Sequence, residues 1–74
     1  MDKKLGNSLA MFLLGATPAP RGLDRHTHDA VMATKRLKHV LDQPSPGADL
    51  ANKIRDRRVA AAVYTLRTNK PWPF

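Results

Sequence analysis

The run Lys53-Ile54-Arg55-Asp56-Arg57-Arg58 carries the densest chemistry in the chain. Arginine presents a planar fork that suits phosphate oxygens or stacks on bases. On a helix, positions 53, 57 and 58 spread over roughly 140° of surface, so one phosphate backbone can meet several of them. Lys35, Arg36, Lys38 and His39 form a second basic cluster. The plainer account of the first run is a solvated helix face steadied by an Asp49–Lys53 pair. The overall balance favours a polyanion nearby. Thirteen Lys and Arg face six acids, all Asp, for a net charge of +7. Self-repulsion on that scale in 74 residues points to a polyanionic partner, without saying whether the protein grips nucleic acid or docks beside it.

Other chemistries find less support. His26-Thr27-His28-Asp29 places two histidines two apart, on different sides of a helix, with only His39 as a further candidate ligand. A solvated helix N-terminus is the better account, and no metal is expected. There is no Cys, no Glu, no glycine-rich phosphate loop and no serine–histidine–acid set on a large core. The expectation is a protein that is not an enzyme and needs no cofactor. A helix-turn-helix reading fails on the linker from Asp42 to Ala48, which exceeds the usual ~3–4 residues. It fails also on Gly47, Ala48 and Asp49, where base-reading side chains would sit.

These residues need helices to position them. One domain at most is expected, burying only about 60% of its unfolded surface. The fold class is all-α: a small two- to three-helix domain with extended, partly disordered terminal segments. The first long helix runs from about Asp24 or Thr27 to Leu41, with Ala30, Ala33, Leu37, Val40 and Leu41 as its apolar stripe. The second starts at Ser45 and Pro46, or a turn later at Asp49, and continues to about Arg67 or Thr68. Asn69 can take a left-handed cap there. Residues 59–66 are apolar nearly all round and could be a buried strand, but three consecutive alanines favour helix. This helix is expected to keep its basic half in solvent and bury its C-terminal half. The helical domain is thus 23–68, with helices at about 24–41 and 46–67.

The ends read as adhesive. Residues 1–14 form an apolar head, helical from Asn7 or Ser8 to Leu14 and ended by Gly15, too short to be stable alone. Residues 15–22 are a Gly/Pro linker that detaches it, so Leu5, Leu9, Met11, Phe12 and Leu13 are expected to dock on a partner rather than to support folding. In the tail, 69–74, Trp72 and Phe74 beside prolines either dock on the partner or cap the protein's own core. The head falls short of a signal peptide, and no apolar run approaches a membrane span of ~20 residues, so no membrane association is expected.

The opening Met1-Asp2-Lys3-Lys4-Leu5-Gly6-Asn7-Ser8-Leu9, with the chain's size and charge, resembles small phage-encoded antitermination proteins of the lytic Xanthomonas phage type. The resemblance covers no motif beyond those residues. It implies a transcription regulator in the host bacterial cytoplasm that binds bacterial RNA polymerase as a monomer, inhibits initiation and promotes antitermination near the RNA exit channel. A host elongation factor can share that surface, with nascent RNA or DNA nearby. Two other readings stand beside it: a free-standing basic RNA- or DNA-binding protein, and a structural subunit of a ribonucleoprotein assembly.

Overall fold

Alternating apolar positions at helical spacing build three helices, joined by the segments rich in Gly and Pro. The computed structural model describes residues 3–45 and 47–74. Helix α1 spans Lys3–Leu13, α2 Arg25–Leu41 and α3 Asp49–Thr68. No strand occurs among the described residues. Residues 59–66 lie inside α3, as the alanine run requires.

Helix α2 is the central element, packed along α3 on one side and crossed by α1 on the other. The core gathers Leu9 and Leu13 from α1, Ala30 and Val31 from α2, Tyr64 from α3, and Trp72 from the tail. Val31, outside the stripe expected for α2, is fully buried, whereas Leu41 is largely exposed. The reason is that α2 is covered on two sides: α1 takes the side of Val31, and α3 takes the side of Ala33 and Val40. Asp24 occupies the N-cap of α2 without a side-chain bond, and Thr27 is buried rather than capping. At the start of α3, Ala48 sits at the cap position, so the later of the two expected starts holds. Pro46, the expected first helical residue, lies outside the described residues. Asn69 takes the left-handed cap at φ 59°, its N–H donating to the Thr65 carbonyl at 2.8 Å.

The head is not a detached docking segment. It begins four residues earlier than Asn7, and Leu9 has no exposed surface at all. Leu5 and Phe12 pack partly buried against the same core. Burying leucine side chains at about 1.5–3 kcal/mol each is a gain that a chain this small cannot leave to a partner. The Gly/Pro linker is what allows it. Gly15, at φ 82°, ends α1 with the Ala16 N–H on the Met11 carbonyl at 3.0 Å and the Gly15 N–H on the Phe12 carbonyl at 2.9 Å. That pair of bonds is a Schellman motif, and it turns the chain back toward α2.

The tail also folds onto its own protein. Trp72 is only 9% exposed, and its indole N–H donates to the Thr34 hydroxyl at 3.0 Å. Thr34 in turn donates to the Ala30 carbonyl, one turn back along α2, at 2.8 Å. Tyr64, Trp72 and Phe74 stack edge to face, with ring centroids 4.9 and 5.4 Å apart. Such pairs add ~0.5–1.5 kcal/mol each beyond their burial.

The molecule measures 35 × 28 × 16 Å. The expected burial of the C-terminal half of α3 does not occur, because α2 is the one helix that packs against it among the described residues. Of that half, Tyr64 alone is buried among the described residues, and Val59, Val63 and Leu66 face outward.

Candidate basic and docking surface

The cations of α2 and the first half of α3 come together along the seam where these helices pack. Arg36 and Arg55 line an open groove of about 510 Å³, whose apolar surface comes from Met32, Ala33, Val59, Ala60 and Val63. Beyond Arg36, toward the α2–α3 turn, a second cleft of about 520 Å³ is lined by Lys35, Arg36, His39 and Lys53, with Asp49 among them. A smaller hollow of about 170 Å³, on the α1 side, takes Lys35, Lys38, His39 and Asp42. Arg57 and Arg58 line none of these three. Arg57 is half-buried, and Arg58 is exposed on the opposite side of α3. The run Lys53–Arg58 is therefore split between the seam and the far side.

Local pairing decides which of these charges remain available. Arg25 pairs with Asp29 at 3.1 Å, Lys38 with Asp42 at 3.0 Å, Lys53 with Asp49 at 3.9 Å, and Arg55 with Asp56 at 3.5 Å. The Asp49–Lys53 pair is the one expected from its i,i+4 spacing. Asp24 lies 3.8 Å from His26. All five described acids are thus engaged by a neighbour on or beside their own helix. Exposed pairs of this kind contribute little stability, ~0–1 kcal/mol. Their effect here is on the field. Arg36, Arg57 and Arg58 have no ion pair among the described residues, and with the exposed Arg21, Arg67 and Lys70 they make up unpaired excess charge.

Lys35 has a different task. Its ammonium donates to the Phe12 carbonyl at 3.2 Å and sits 5.2 Å from the centre of the Phe12 ring. A cation at a helix C-terminus meets the negative end of the helix dipole, so Lys35 fastens the end of α1 to α2. Its position in the basic cluster gave no sign of this, because nothing in the sequence shows which helix end will lie beside it.

The residues expected to dock on a partner are mostly internal. Leu9, Leu13 and Trp72 are buried, and Leu5, Phe12 and Phe74 are partly buried against them. Met11 is the exception, 44% exposed on α1 beside Leu14 at the turn. A further apolar stripe that faces solvent is on α3. Val59, Ala62, Val63 and Leu66 repeat at i, i+3, i+4 and i+7, all of them exposed. The spacing was readable in the sequence, but an apolar stripe there reads equally as core.

His26 packs against the Tyr64 ring with centroids 6.0 Å apart, and His28 stands 3.6 Å from Asp29. No group of three or more His, Cys, Asp or Glu that could hold a metal occurs among the described residues. None of their helices is long and apolar enough to cross a membrane. No protein-family model, curated protein or solved structure matches the chain.

Proposed function

We propose that this chain is a non-enzymatic transcription regulator of phage type. In this reading it binds bacterial RNA polymerase in the host cytoplasm, beside nucleic acid, and alters initiation or termination. The observation that carries the reading is the asymmetric pairing of charge. The described acids are engaged by close neighbours, while Arg36, Arg57 and Arg58 are left without an ion pair among the described residues in a chain of net charge +7. Cations on a compact helical support repel each other unless a polyanion lies beside them. The resemblance of the opening residues supplies the polymerase. Its first two, Met1 and Asp2, lie outside the described residues.

Attachment in this proposal uses surface groups, because Leu9, Leu13 and Trp72 are committed to the core. Arg57 and Arg58 then lie beside emerging RNA and oppose hairpin formation at a terminator. On free nucleic acid the same few cations give only nonspecific affinity, on the order of 10⁻⁴–10⁻⁶ M at physiological salt. The test is a nuclease-treated pull-down with purified polymerase, alongside terminator read-through, for the parent and for Arg57→Glu with Arg58→Glu. The expected result is retained polymerase binding with lost read-through. Polymerase recovery that disappears on nuclease treatment would overturn the proposal in favour of a free-standing nucleic-acid binder.

A further inference from the structure

The groove between α2 and α3 is an apolar surface that the fold leaves without a cover. Met32 and Ala60 lie half-buried along it. Val59 and Val63 form its α3 wall, and Leu66, 84% exposed, continues the same stripe by one turn. From Arg55 to Leu66 the stripe rises three turns, ~16 Å, the length over which one helix packs on another. Apolar side chains at i, i+3, i+4 and i+7 are what one helix presents to a second.

Two occupants of helical form compete, and charge separates them. A second copy would pack α3 against α3. Antiparallel pairing centred between Ala62 and Val63 sets Val59 against Leu66, which is favourable, but it also sets Arg58 against Arg67. Parallel pairing sets Arg55 and Arg58 each against its own equivalent. Both arrangements put like charges at the edge of the contact in a chain already at +7. A helix with acids flanking its apolar face meets Arg36 on one wall, with no ion pair among the described residues, and Arg55 on the other. The two acids at the groove, Asp29 and Asp56, are already held by Arg25 and Arg55.

We infer that the α2–α3 groove is a docking site for an acidic amphipathic helix of a partner protein. The partner's apolar side chains lie on Val59, Val63 and Leu66, and its carboxylates take Arg36, the groove arginine without an ion pair among the described residues. This goes beyond the polymerase reading, since such a helix can belong to any protein, and it is tested without polymerase.

The probe is a synthetic helical peptide of about four turns, with Leu at i, i+3, i+4 and i+7 and Glu on both flanks. Titration calorimetry and backbone amide NMR on the intact chain read its binding. The expected result is saturable binding, with shifted amides confined to the groove faces of α2 and α3. Val63→Glu should weaken it at least about tenfold, and Arg36→Glu should also weaken it. Both substitutions are at the surface, and unchanged helical circular dichroism confirms that the variants remain folded.

No binding would overturn the inference. So would equal binding by a disordered poly-glutamate of the same charge, or indifference to Val63→Glu, since either makes the contact merely electrostatic. A dimer in sedimentation equilibrium that Val63→Glu dissolves would assign the stripe to a second copy. A single-stranded RNA that shifts the groove amides when the peptide does not would assign the groove to nucleic acid.

Discussion

The two flanks of α2 have opposite fates. On one, α1 and the aromatic tail close over Val31 and Thr34. Nearly every polar group there has a named partner: Lys35 on Phe12, Trp72 on Thr34, Thr34 on Ala30. On the other, α3 leans on α2 only along its inner edge and leaves Val59, Val63 and Leu66 in water. The closed flank makes a 74-residue chain fold. The open flank buries Ala33 and Val40 but leaves much of Val59, Val63 and Leu66 uncovered. Stability and recognition are therefore assigned to different faces, and substitutions should separate them.

The largest effect should come from the closed flank. Trp72→Ala removes the indole from the core along with its hydrogen bond, at about 3–5 kcal/mol. Domains of this size are stable by only ~4–11 kcal/mol in total, so thermal melting followed by circular dichroism should show a chain that is largely unfolded or barely stable. Deletion of residues 1–14 should unfold it for the same reason, through the loss of Leu9 and Leu13. A truncated chain that melts like the parent would break the comparison, since the head would then be no part of the closed flank.

Thr34→Val tests a single bond within that flank. The shape is nearly kept, but the Trp72 N–H loses its acceptor, and a buried unsatisfied donor costs ~1–3 kcal/mol. The melting temperature should fall clearly, though less than for Trp72→Ala. Equal stability would mean that packing alone holds the tail.

The smallest effect is expected on the open flank. Leu66→Ser, at a site 84% exposed, should change stability by no more than ~0.5 kcal/mol. A loss above ~2 kcal/mol would show that the stripe already contributes to folding, and the contrast between the two flanks would fail.

Much of this architecture was legible in the sequence. The spacing of Ala30, Ala33 and Val40, the proline-rich break after Leu41 and the suitability of Asn69 for a left-handed cap locate α2 and α3 within a few residues. The position of the head was not. Gly15, Pro18, Pro20 and Gly22 read as a spacer, and a spacer and a reversing turn have the same composition. Only the positive φ at Gly15 and Gly22 shows that the chain doubles back. The outward half of α3 was hidden for a related reason. Periodicity tells which residues share a face, and how many elements are available to cover that face is a tertiary matter.

The burial of Trp72 has an optical consequence. It is the sole tryptophan in the chain, and it lies in the closed flank with Tyr64 edge-on at 4.9 Å. Its emission therefore reports on the integrity of the core and is silent about the groove. Unfolding should shift that emission to longer wavelength as the indole meets water, whereas a ligand seated on Val59 and Val63 should leave it unchanged. The protein carries its own fluorescent label, placed where it distinguishes a chain that has bound something from one that has come apart.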